Sequence, residues 1–88
     1  MEIIILDGSK MTSKDTAYEY INSTMRFPDY AGKNLDSLHD CLSELNSDVV
    51  IVLQGEDEML ENLQEYGEKI LKVFRKTALE ANYTFIEK

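Results

Sequence analysis

A small α/β fold, a three-stranded parallel sheet packed with about four helices, is what this 88-residue sequence predicts. Three observations carry the expectation. Short apolar runs occur at residues 3–6, 49–53 and 83–86. Each pair of runs is separated by two stretches with apolar residues at helical spacing. Each return is long enough for the helical crossover that parallel pairing requires. Strand order is not readable from this pattern. Residues 1–88 read as one domain, because no linker, repeat or low-complexity stretch divides them and the length suits one core.

The elements follow in order. Residues 3–6, Ile-Ile-Ile-Leu, form a continuous apolar run closed by Asp7-Gly8, as expected of a strand buried on both faces. Thr12 or Ser13 can cap a helix that buries Ala17, Tyr18, Ile21 and Met25. Residues 26–33 are a loop, punctuated by Pro28 and Gly32. Asn34 is a suitable N-cap for the next helix, its side chain accepting a backbone N–H. Asn46 to Asp48 break that helix, and 49–53 make a second strand. A short helix over about 57–64 turns Met59, Leu60 and Leu63 inward. Gly67 separates it from a longer helix over 68–80, packed through Ile70, Leu71, Phe74, Ala78 and Leu79. Asn82 suits a left-handed terminator, and 83–86 supply the last strand.

Composition narrows the function. A hydrophobic content of 43% with five Tyr and three Phe supports a packed core. The net charge of −8 argues against nucleic acid as a direct ligand, because phosphate contacts need clustered Lys and Arg. It suits a cationic partner, or serves solubility. Charge is unevenly placed: residues 55–68 hold six acids and no base, residues 69–76 four bases and no acid. A lone cysteine cannot form an internal disulfide. No apolar run approaches the ~18 residues of a membrane span, and no secretory signal precedes the first strand. A soluble, cytoplasmic protein is expected.

The most informative segment is residues 27–42, FPDYAGKNLDSLHDCL. On its helix, Asp36, Asp40 and Glu44 fall within an arc of about 80°, while Leu35, Leu38, Cys41, Leu42 and Leu45 fall opposite. Like charges one turn apart cost an isolated helix a few tenths of a kcal/mol per pair. A helix built for stability alone would alternate signs. Asp36, in the first turn, also complements the helix dipole without any partner. Carboxylates set one turn apart can imitate successive phosphates and accept charge-assisted hydrogen bonds from Arg and Lys. Tyr30 adds a flat amphipathic ring, and Gly32 allows close backbone approach.

This segment resembles the barstar family, intracellular inhibitors of bacterial ribonucleases of the barnase type. The resemblance lies in Phe27-Pro28-Asp29-Tyr30, Gly32, Asn34-Leu35-Asp36, Leu38 and Asp40-Cys41-Leu42. It extends more weakly over nearly the whole chain, through VVIVL and KVFR. The resemblance implies a three-stranded parallel sheet covered by helices. It also implies that Tyr30, Gly32, Asn34, Leu35, Asp36, Asp40 and Ser43 bind the nuclease, with Asp40 entering the phosphate pocket. Two departures stand out. Where the best-known member has tryptophan on the binding helix, this chain has His39, which joins the expected binding surface. Where that member has an interface glutamate on the late helix, this chain has Lys76. Glu44 adds a third acid that can compensate. The expected partner is a basic, extracellular-type ribonuclease bound 1:1 by a chain monomeric when free.

The rivals are weaker. His39 and Cys41 are separated by about 160° around the helix, too far for a nucleophile–base pair. Cys41 reads as a small core residue. A metal site on Asp36, His39 and a distant acid lacks a second His or Cys ligand. Asp36 and Asp40 on a convex helix face have no desolvating cleft to set them up as acid and base. No cofactor and no enzymatic activity are expected. The competing class is an acidic adaptor or immunity protein that binds some other basic protein or toxin.

Overall fold

The computed structural model describes residues 1–88. The strands are β1 (Glu2–Asp7), β2 (Val49–Gln54) and β3 (Thr84–Glu87); the helices are α1 (Lys14–Thr24), α2 (Leu35–Ser43), α3 (Glu56–Leu63) and α4 (Glu65–Ala81). A 3-10 turn, Gly8–Lys10, follows β1. The sheet order is β1-β2-β3 and both pairings are parallel, with Ile4 opposite Ile51 and Ile51 opposite Phe85. Helix pairs make both returns, as the spacing of the apolar runs predicts.

Helices cover one face of the sheet. Leu6, Val49, Ile51 and Leu53 are buried there with Ala17, Tyr18, Ile21, Leu38, Leu42, Met59, Ile70, Leu71 and Phe74. The expectation that the first strand is buried on both faces is corrected. Ile3 and Ile5 are each more than half exposed, and they pair with Val50 and Val52 on the uncovered face. With three strands and one helical layer there is no second layer to bury them.

Local signals set the helix ends. Ser13 Oγ accepts the Thr16 N–H at 3.2 Å, and Asn82 closes α4 in the left-handed region. Two expectations shift. The break between α3 and α4 is Gln64 (φ 55°, ψ −127°), not Gly67, which lies inside α4. A Cβ on Gly67 would approach Leu60 Cδ2 to 3.1 Å, so glycine there serves the close packing of α3 on α4. Leu79 is 83% exposed, and Thr77 is buried in its stead. Ile70, Phe74 and Thr77 share one stripe at i, i+4, i+7, which Leu79 leaves. Thr77 is satisfied by donating to the Val73 carbonyl at 2.6 Å. The Tyr83 hydroxyl lies 2.6 Å from Thr77 Oγ1 and 2.7 Å from the Phe74 carbonyl, and burial pushes it up to about 12.

A candidate protein-binding face on the second helix

The loop before α2 is tied down at both ends. Phe27 N–H donates to the Asn22 carbonyl at 2.9 Å, and the Phe27 ring packs against the core. Ala31 N–H donates to the Pro28 carbonyl at 2.9 Å, closing a turn with Asp29 and Tyr30 at its tip. Tyr30 is thereby held 87% exposed. Gly32 N–H donates to Ser37 Oγ at 2.7 Å, so the loop is clipped onto the first turn of α2. A side chain at Gly32 would meet the Asn34 amide at 2.9 Å. Asn34 has extended backbone and its Oδ1 accepts the Ser37 N–H at 2.7 Å, as expected of an N-cap. Ser37 thus joins cap and loop. The Asn-x-x-Ser spacing is the signal by which sequence alone reveals it.

An expected result follows. Asn34→Ala lowers stability by about 1 kcal/mol, read as a lower urea midpoint with an unchanged slope. It also loosens the Gly32–Ser37 clip, visible as faster amide exchange in the loop than in α1.

Helix α2 buries Leu38 and Leu42 and rests on α4. Its outer side carries Asp36, Asp40 and Glu44, all exposed, with Glu44 as the C-cap. The Asp40 carboxylate is 86% exposed. No Lys or Arg lies within 4 Å of any of the three; the His39 ring comes near, its Nδ1 3.8 Å from Asp40 Oδ1. No Lys or Arg of the chain neutralises the row. Asp36 and Asp40 are separated by about 6 Å along the helix axis.

The remaining expected residues divide into two groups. Leu35 is half-buried at the start of the helix, where it helps seat it, and Asn34 is exposed at its cap. His39 and Ser43 are engaged internally. His39 Nε2 donates to Glu80 Oε1 of α4 at 3.0 Å, and Ser43 Oγ donates to the His39 carbonyl at 2.7 Å. His39 is therefore steadied beside the acidic row by a contact between helices, one that no local pattern in α2 announces. Lys76 lies exposed on α4.

Two readings change at this face. Cys41 is half-buried rather than part of the core. The face is also not purely convex. A cleft of about 180 Å³ opens between the loop residues Pro28, Tyr30 and Ala31 and the helix residues Ser37, Asp40, Cys41 and Glu44. Loss of solvent, reinforced by the charges of Glu44 and Asp40, pushes the Cys41 thiol up. It stays protonated at neutral pH, a poor nucleophile and a poor metal ligand. No three His, Cys, Asp or Glu side chains converge to hold a metal ion. The cleft mixes the apolar Pro28, Ala31 and Tyr30 with the carboxylates of Asp40 and Glu44 in its lining. It has room for one side-chain head group of a partner, and positive charge suits it.

The structure is a one-sided α/β layer that lifts an unneutralised carboxylate row beside an aromatic turn. The model of the family Barstar (barnase inhibitor) matches residues 1–86, and the chain belongs to that family. Members of the family inhibit ribonucleases and are not enzymes. Among individual proteins, the chain is similar to one of Bacillus subtilis (strain 168) named "Putative ribonuclease inhibitor YrdF". The two are 29% identical over 86 residues, which span 97% of this chain and 94% of the relative. No helix is long and apolar enough to cross a membrane.

Proposed function

We propose that this protein inhibits a small basic ribonuclease of the barnase type, 1:1, by seating α2 and the loop at 26–33 in its active site. The observation that carries the reading is the Asp36–Asp40–Glu44 row, exposed and without an internal Lys or Arg partner. A ribonuclease cleft is lined with cations that repel one another until a phosphate enters. Carboxylates on a rigid helix relieve that repulsion and accept hydrogen bonds from the same cations. Asp40 is the anchor and Asp36 its nearest support. Glu44 extends the row, and Tyr30 covers the cleft edge with a ring that costs little entropy to order. Gly32, Asn34 and Leu35 shape the flank. His39 and Ser43 complete the surface on the side of α4.

Family membership supports the class of target, and the charge supports the kind of surface. Lys76 on α4 favours a nuclease whose rim carries an acid at that edge. The deciding experiment titrates the protein against purified small microbial ribonucleases with a fluorogenic RNA substrate. Stoichiometric loss of activity is expected. Binding without inhibition would favour the adaptor reading, and neither would refute both. Association should slow as salt rises from low to physiological concentration, because screening shortens the field to roughly 8–10 Å. An association rate independent of salt would remove electrostatic steering from the account.

A further inference from the structure

At the C-terminal ends of the parallel strands, the close of β3 is bound to the start of α3 by backbone and by charge. Lys88 N–H donates to the Leu53 carbonyl at 2.8 Å, and Glu56 N–H donates to the Lys88 carbonyl at 3.4 Å. Beside this junction Arg75 of α4 grips Glu87 of β3 in a fork, its Nε 3.0 Å from Oε2. The same guanidinium is 4.0 Å from Glu56 Oε1, too far for a hydrogen bond. Glu56 Oε1 is fully buried and has no hydrogen-bond partner. Two carboxyl groups therefore face one guanidinium that is already committed to Glu87.

Glu56 Oε1 and Glu87 Oε1 both face the same Arg75 Nη2, so a hydrogen bond between the two carboxyls needs a donor on one of them. Two carboxylates cannot make that bond, since neither has a donor. One proton on Glu56 supplies it. We propose that Glu56, Glu87 and Arg75 form a proton-held clamp that fastens the last strand to α3 and α4 and slackens when Glu56 ionises. It lies outside the candidate binding face and uses none of that face's residues.

The charges around the clamp support this division of roles. The bond to Glu87, then burial, then the Glu87 charge push Glu56 up to about 7, with Asp57 adding to the rise and Arg75 opposing it. Arg75 above all, and then Glu56, hold Glu87 below the usual carboxylate range. Arg75 is faced in turn by Glu87, Glu56 and Glu68. The sign follows from linkage. The folded chain keeps a proton on Glu56 that the unfolded chain releases above about 4.5. The stabilisation from Glu56 is full below that value, falls as pH rises to about 7, and is absent above it. The contribution of Glu87 has the opposite sign and is lost only on stronger acidification.

Urea unfolding at pH 5 and pH 8 compares the wild type with Glu56→Gln, whose amide donates to Glu87 at either pH. Titration of the groups that the substitution does not touch is common to both proteins and cancels in the difference. Relative to the variant, the wild-type unfolding constant should rise at least about tenfold between the two pH values. Carbon-detected NMR of the wild-type carboxyl groups needs no variant, and should show Glu56 titrating near neutrality with Glu87 responding in the same range. Parallel unfolding curves, or a Glu56 carboxyl that titrates with the other glutamates, would overturn the clamp.

Discussion

Asp40→Ala should weaken inhibition of the cognate ribonuclease by at least about thirtyfold while leaving the fold as stable as before. The figure corresponds to the lower end of about 2–5 kcal/mol, the cost of truncating one partner of a buried charge pair; barnase and barstar are themselves a measured case of such pairs. Free in solution, Asp40 is 86% exposed, and the His39 ring lies 3.8 Å from its carboxylate. Removing it takes nothing from the core, so stability should change by less than about 0.5 kcal/mol. In the complex the same carboxylate would lie under the nuclease, against cations that have given up their water. Alanine leaves those cations buried and unpaired, and that penalty dominates. Asp36→Ala, nearer the helix start and the edge of the face, should cost less. Inhibition constants for the two variants, read beside their urea midpoints, separate binding from folding. Undiminished inhibition by Asp40→Ala would remove the anchor, and with it the phosphate-mimic mechanism.

Gly8→Ala should destabilise the protein by about 3 kcal/mol or more, enough to lower the melting temperature by over ten degrees in a chain this short. A Cβ on Gly8 would sit 2.2 Å from the Gly55 carbonyl oxygen, 2.9 Å from its carbon and 3.0 Å from Met59 Cβ. The two nearest of these are backbone atoms. Neither can swing aside, so the turn after β1 must move off the turn after β2. Gly55 is itself left-handed, at φ +69°, and begins α3. The junction is a meeting of two turns that admits no side chain on the Gly8 side. Gly67→Ala is the informative contrast. Its Cβ would press Leu60 Cδ2 at 3.1 Å, which can swing aside, and Leu63 Cβ at 3.3 Å, which must yield by a few tenths of an ångström, while helix propensity returns about 1 kcal/mol. Near-neutral behaviour at Gly67 beside a large loss at Gly8 is expected in thermal unfolding. A Gly8→Ala protein within about 1 kcal/mol of wild type would mean that the turns part easily.

Much of the candidate face is legible in the primary sequence because its causes are local. Asn34 caps α2 through an atom three residues away, and Pro28 and Gly32 shape a loop of eight residues. The acidic row follows from helical spacing alone. Ser13, Asn82 and the three strands are equally local, each fixed by its own neighbours. What the sequence conceals is whatever depends on a distant segment. The Gly32–Ser37 clip follows from the cap, but the His39–Glu80 contact joins residues 41 positions apart. Cys41 sits among leucines in sequence, yet the loop folds back so that it lines a cleft.

The amino-acid order by itself determined three strands, four helices, the caps at Asn34 and Asn82, and a row of carboxylates on the outer side of the second helix. These follow from backbone hydrogen bonding and from periods of two and 3.6 residues, which act over a few positions. Only the tertiary structure decided that one face of the sheet is bare, that Thr77 is buried while Leu79 is not, and that Gln64 breaks the helix pair. It alone brought Glu56, Arg75 and Glu87 together. Burial and charge pairing depend on which surfaces meet, and surfaces meet only when segments far apart in the chain are packed together.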